Sequence, residues 1–180
     1  MKLLQLKINL LNVVPAVWRR FVVPGELTLA ELHAVIQTVM GWKNAHVHQF
    51  RVAGTKYSDP KFELGDDVLN ERRAILGKLL ITRGARLEYV CDSGDYWQHE
   101  LVVEEVLVSD RRQDQPICLA GECACPPEDC GGPGGYEELL EALANPQHPE
   151  HHEMRVWAGR KFNPERFDLA AVSRRLKKRR

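Results

Sequence analysis

Four of the five cysteines, Cys118, Cys123, Cys125 and Cys130, recur as C-x4-C-x-C-x4-C inside the run CLAGECACPPEDCGGPGGY. Thiolates at close spacing bind zinc or another divalent metal, and Gly121, Gly131 and Gly132 would let the backbone fold around an ion. The pattern differs from the usual pair of C-x2-C knuckles, because a single intervening residue strains ligation by both sulfurs of a C-x-C pair. Two other readings stand beside a metal. The thiols can be reduced and packed as small hydrophobes, or Cys118 and Cys130 can join as a disulfide on oxidation. The prolines and glycines of the run predict an ordered loop in place of a helix or strand.

Three further groups carry chemistry. His46 and His48 lie two apart on a predicted strand and so share a face, where two imidazoles can bind a transition metal. The alternative is one surface histidine and one hydrogen-bonded to a neighbour. Asp92, Asp95 and His99 form a candidate acid–base group, in which a carboxylate beside the imidazole fixes its tautomer as a general base requires. Turn construction accounts for the same residues, since Asp side chains commonly accept backbone N–H groups there. Glu128 and Asp129, next to two prolines and followed by Gly131 and Gly132, can satisfy backbone donors inside the loop or join His99 and the aspartates around a hard cation. Phosphate-loop, dinucleotide, zincin and hydrolase-elbow motifs are all absent from the sequence.

These residues must be held by ordinary elements. Leu4, Leu6, Ile8 and Leu10 alternate with Gln5, Lys7 and Asn9, the period of a half-buried strand, and Val17 to Val23 reads as its hairpin partner. Thr28 and Glu31 form a capping box ahead of Leu29, Leu32, Val35, Ile36, Val39 and Met40, which recur at helical spacing up to Gly41. Val47–Ala53, Arg86–Val90 and His99–Val108 are rich in strand formers, with Asp92–Tyr96 as the turn between the last two. Ala74 to Leu80 has a short helical pattern. After the cysteine run, Tyr136–Ala144, Pro149–Ala158 and a third segment capped by Asp168, with Leu169, Val172 and Leu176 inward, read as helices. The expected class is α+β: a mostly antiparallel sheet, one long helix of the N-terminal half packed on it, and a helical C-terminal region. A single domain over 1–180 would divide into sheet plus helix (1–110), loop (111–135) and helices (136–180).

Charge narrows the partners. Six of the last seven residues (Arg174, Arg175, Lys177, Lys178, Arg179 and Arg180) are basic, and setting them aside leaves 19 basic against 25 acidic residues, so the body has no electrostatic reason to bind nucleic acid broadly. The tail alone can contact phosphate or an acidic partner; otherwise it is a solvated, frayed terminus. No stretch approaches the ~18 uninterrupted apolar residues of a membrane span, and the apolar start is broken by Lys7 and Asn9, which reads as a strand and not a leader. A cytoplasmic protein with reduced thiols is the expectation, in keeping with an odd cysteine count.

The ordered set of Pro15 with Trp18-Arg19-Arg20, Leu29-x-x-Leu32-His33, Met40-Gly41-Trp42, His46-x-His48-x-Phe50, Gly94-Asp95-x-Trp97-x-His99 and Cys118-x-x-Gly121 through Cys125-Pro126-Pro127-Glu128-Asp129-x-Gly131-Gly132 to Tyr136 resembles the plasmid pRiA4b ORF-3-like family, also labelled the insertion-element passenger TnpR family. The resemblance spans nearly the whole chain; Ser93 stands where the family carries an aromatic residue. It implies a compact α+β domain and no particular reaction. The resolvase suggested by the second label is not supported, because no serine precedes Ser58 to serve as an early nucleophile and no helix-turn-helix is evident. The leading functional expectation is a non-enzymatic interaction or accessory protein of plasmids or mobile elements, with a protein partner. The alternatives are a metal-dependent hydrolase or nuclease, with His46, His48, Asp95 and His99 lining one pocket near Glu128, and nucleic-acid binding through the basic tail. All require three polar clusters distant in sequence to meet at one place, with His46 and His99 on the same side.

Overall fold

The computed structural model describes residues 1–178, so Arg179 and Arg180 of the basic tail lie outside the described residues. Eight strands form one sheet: β1 (Lys2–Leu10), β2 (Trp18–Pro24), β3 (His48–Val52), β4 (Thr55–Ser58), β5 (Val68–Asn70), β6 (Arg86–Cys91), β7 (Trp97–Val108) and β8 (Ile117–Glu122). Their spatial order is β5-β4-β3-β6-β7-β1-β2-β8. Every pair is antiparallel except β4 with β5. Five helices complete the described chain: α1 (Leu29–Met40), α2 (Leu76–Leu79), α3 (Gly132–Ala144), α4 (His151–Trp157) and α5 (Leu169–Lys178). Single 3-10 turns occupy Pro60–Phe62 and Glu71–Arg73. The α+β class and the mostly antiparallel sheet therefore hold.

Strand β1 shows why the sheet has one dry face. Leu4, Leu6, Ile8 and Leu10 are buried while Gln5, Lys7 and Asn9 alternate away from them, and β1 is laddered on both sides, to β2 and β7. The same alternation puts His48 and Phe50, Tyr89 and Cys91, and Trp97 and His99 on the dry face. Helix α1 covers that face. Its capping box is complete: Thr28 Oγ1 accepts from Glu31 N at 3.2 Å, and Glu31 Oε2 accepts from Thr28 N at 2.7 Å. Gly41, at φ +98°, ends the helix in a left-handed turn.

Helix α1 has 12 residues and is one of five helices in the described chain. Two expectations need correction. The cysteine run is not loop throughout: Ile117–Glu122 is a strand, which extends the sheet beyond residue 110. As the edge strand it makes a ladder on one side only, to β2, and packing demands its Gly121, because a Cβ there would lie 2.7 Å from Arg19 Cδ and 2.8 Å from the Phe167 ring. At the other end of the run, Gly132-Pro133-Gly134-Gly135 is the first turn of α3, where backbone N–H groups need no intrahelical partner and proline is tolerated. Glycine is required at 135, because a Cβ there would lie 1.9 Å from the Cys130 carbonyl oxygen. Finally, the basic tail is helical through Lys178. Val172 and Leu176 are buried as expected, Leu169 is exposed, and Arg174, Arg175, Lys177 and Lys178 face solvent.

One buried cation ties these parts together. Arg19 on β2 is 2% exposed, and its guanidinium donates to Val39 O at 3.1 Å, Trp18 O at 2.7 Å and Glu122 O at 2.7 Å, joining α1 and both edge-side strands. It also lies 4.2 Å over the Phe167 ring. Arg19→Met removes these donors while filling the volume. Chemical denaturation should show a stability loss on the order of 2–4 kcal/mol, with the far-ultraviolet spectrum unchanged; a loss near zero would show that the guanidinium holds nothing.

Candidate functional site

Three segments that join elements meet at one end of the sheet: the link from α1 into β3, the turn between β6 and β7, and the segment between β8 and α3. Trp42 is their centre. Its indole N–H donates to Pro126 O at 3.0 Å, and its ring lies 5.4 Å from His99, edge-on, and 6.1 Å from Trp97. The expected convergence of the His46, Asp95–His99 and cysteine-rich segments is thus present in the geometry. What the residues do there differs from the acid–base expectation.

The carboxylates accept backbone N–H groups. Asp92 Oδ1 takes Gly94 N at 2.8 Å and Asp95 N at 3.3 Å within the turn. Asp95 Oδ2 takes Gly131 N at 3.3 Å, across to the start of α3. Glu128 Oε1 takes Lys43 N at 2.8 Å, with Lys43 Nζ 3.9 Å from the other oxygen. Asp92 (φ +66°) and Asp129 (φ +61°) sit in the left-handed region that Asp tolerates in turns. Gly132, at φ +69°, lets α3 start against the turn; a Cβ there would meet Asp95 O at 2.5 Å.

The histidines separate. His46 precedes β3 and does not share a strand face with His48. Its Nδ1 lies 3.2 Å from Asp92 Oδ2 and its Nε2 lies 3.6 Å from Asp129 Oδ1. His48 is buried on the dry face, with Nε2 2.7 Å from Glu71 Oε2 and its ring stacked 3.4 Å from that of His33. His99 is 1% exposed, and Asp95 is not its partner. Its Nδ1 faces the carbonyl oxygens of Tyr89, at 3.3 Å, and Trp97, at 3.1 Å, so that nitrogen carries the proton and Nε2 is left buried without a partner. Burial drives the His99 pKa down to about 4, against the raising effect of the two carbonyls, so the ring is neutral at physiological pH. The pocket expected from His46, His48, Asp95 and His99 does not assemble. Among the described residues, the metal-competent group whose ligand atoms all lie within 4.8 Å of one another is His46, Asp92 and Asp129.

The cysteines are free thiols, so the Cys118–Cys130 disulfide is not formed, and among the described residues they make no such group of three. Burial pushes the Cys118 thiol up to about 11 and Cys130 up to about 12, and it raises Cys125 as well. Protonated thiols are weak nucleophiles.

Sequence reasoning missed a chain of polar side chains under α1. Gln37 Nε2 donates to Tyr89 Oη at 3.0 Å, and Tyr89 Oη lies 2.8 Å from His33 Nδ1. His33 Nε2 bonds Asn44 Oδ1, and Asn44 N returns to Gln37 Oε1 at 3.0 Å. The available signal was the spacing of His33 and Gln37, one and two turns beyond Leu29 on the same helix face.

On the opposite, wet face of the sheet lies a hollow of about 240 Å³, walled by side chains of β3, β6 and β7 with Leu64 and Tyr96 at its margin. Gln49, Arg51, Val90 and Gln98 are among its lining residues.

The family model for plasmid pRiA4b ORF-3-like proteins matches residues 2–171. Uncharacterized protein y4hQ of Sinorhizobium fredii is 40% identical over 156 residues, which cover 86% of this chain and 80% of that one. The crystal structure of MM3350, a protein of unknown function from Methanosarcina mazei Go1, superposes with a TM-score of 0.86 at 36% identity, covering 96% of this chain and 98% of that one.

Two outcomes follow from this geometry. A histidine kept neutral by folding stabilises fully above its unfolded pKa of about 6.5, and that contribution is lost as pH falls toward 4. Wild type should therefore lose on the order of 3 kcal/mol more than His99→Gln between pH 7 and pH 4, read by urea denaturation; parallel pH profiles would contradict a neutral buried ring. Gly132→Ala, strained in φ and blocked by Asp95 O, should cost on the order of 2 kcal/mol or more in the same assay, whereas Gly134→Ala, which meets nothing within 4 Å, should be near neutral.

Proposed function

The chain belongs to the plasmid pRiA4b ORF-3-like family, and from the arrangement of its loops we propose that it is a non-enzymatic binding module whose wet sheet face takes a segment of a partner protein. The observation that carries this reading is the commitment of its acids. Asp92, Asp95 and Glu128 each accept a backbone N–H, two of them from another segment, and His99 is neutral and enclosed. Side chains so engaged build a platform, and His99, which faces two carbonyl oxygens, has no carboxylate partner with which to act as a general base.

The hollow supplies the surface. Leu64 and Tyr96 are exposed large apolar groups at its margin, and Gln49 and Gln98 offer both a donor and an acceptor to a peptide backbone. Arg51 and Glu88 pair at 3.6 Å with both side chains at least half exposed, an ion pair weak enough to open toward a polar partner. Tyrosine and arginine at a concave apolar patch are the usual anchors of a protein interface. The volume admits one or two side chains of a partner, which fits an extended segment laid across it. The family's description as a plasmid reading-frame product supports seeking that partner among proteins of a mobile element.

The test is capture from the native host with the full chain, compared with a Tyr96→Ala/Gln98→Ala variant and with Arg83→Ala as a surface control outside the hollow. A partner retained by wild type and by the control should fall at least about tenfold on the double variant, the size of a lost aromatic anchor. Equal retention on all three would place binding elsewhere and overturn the reading.

A further inference from the structure

We propose that His46, Asp92 and Asp129 form a binding site for a divalent transition-metal ion. The three come from separate segments, and their ligand atoms lie within 4.8 Å of one another, a spread that one ion can bridge. Asp92 is preset for the task. It is 8% exposed, and Gly94 N and Asp95 N hold Oδ1, which directs Oδ2 to the imidazole at 3.2 Å. Amide hydrogen bonds to the second oxygen of a ligating carboxylate are what orients such ligands in metal centres. Asp129 is the exposed arm, with a side chain 75% exposed and Oδ1 3.6 Å from Nε2, within a rotamer change of an ion held by His46 and Asp92.

Charge balance favours a cation. Among the described residues, neither Asp92 nor Asp129 pairs with a lysine or arginine; a single imidazole faces both. Asp95 and Glu128 add negative charge nearby, and Lys43 faces Glu128. One imidazole thus faces two carboxylates, and that of Asp92 is buried. A divalent ion restores neutrality to the two carboxylates. The nitrogen donor selects manganese, zinc or their neighbours over magnesium or calcium, which prefer all-oxygen sites. Three protein ligands leave coordination positions for water. The ion would fasten the turn between β6 and β7 to the segment before α3, closing the same junction that the carboxylate–amide bonds hold.

Mn²⁺ is the suitable probe, because it prefers oxygen and imidazole to thiol and so does not report on the cysteines. The full chain, stripped with chelator and dialysed, is titrated with Mn²⁺ and the free ion is read by electron paramagnetic resonance. The expected result is saturable binding of one ion, weakened at least about tenfold in His46→Ala and in Asp129→Asn and unchanged in Asp67→Asn, an exposed acid elsewhere. Asp129 is on the surface, so that variant remains folded and decisive. No saturable binding, or equal binding by wild type and Asp129→Asn, overturns the proposal. Asp92 also lines the wet-face hollow, but the hollow's test changes Tyr96 and Gln98 and is read without the ion, so the two outcomes are distinguishable.

Discussion

Backbone amides at Lys43, Gly94 and Gly131 lie at the junctions between elements, where no ladder supplies an acceptor, and the carboxylates of Glu128, Asp92 and Asp95 satisfy them. That exchange of side chain for backbone is the constraint from which the end of the sheet is built. The Gly94 bond is part-buried, whereas those at Lys43 and Gly131 are exposed and compete with water, so they act by fixing one segment against another, each at about 1 kcal/mol. Here each acid either closes its own turn or reaches across to a different segment. Trp42 completes the junction, with its ring against Trp97 and His99 and its N–H on Pro126. The acids that look catalytic in one dimension are fasteners in three.

Beneath that junction, the dry face carries more polar chemistry than its composition suggests. Gln37, Tyr89, His33 and Asn44 form a closed hydrogen-bonded chain, and His48 leans on Glu71. Such groups are tolerated because nearly all their donors and acceptors are matched. The exceptions, His48 Nδ1, His99 Nε2 and Tyr136 Oη, are buried without a partner among the described residues. Burial also keeps His99 neutral and the thiols protonated, which removes the groups that would most readily supply a base or a nucleophile. The surfaces left for function are therefore the wet-face hollow and the rim where His46 meets two aspartates.

Local patterns were legible where local physics decides them. The alternation of β1, the capping box at Thr28, the turn from Asp92 to Tyr96 and the cap at Asp168 all follow from neighbours within a few residues, and each is present. Strand β8 was hidden because a run dense in cysteine, glycine and proline reads as loop, while an edge position relaxes the demands on a strand. His48 and Glu71 are 23 residues apart and meet through a 3-10 turn that no period announces. For His46, the partners were named as residues of interest, but their pairing depends on how two segments close over β3. Position along the chain also misled for His99: a carboxylate four residues away invites a pair, yet the tight turn sends Asp95 to Gly131 and the strand pleat sends His99 into the core.

Amide hydrogen exchange in wild type and Glu128→Ala tests the fastening of these segments most directly. Loss of the Lys43 N to Glu128 Oε1 bond, 2.8 Å long, should speed exchange at Lys43 and at the amides between residues 126 and 131. Exchange along β1 and β7 should be unchanged. Unaltered exchange at Lys43, or acceleration spread evenly over the sheet, would contradict the claim that this carboxylate holds the junction.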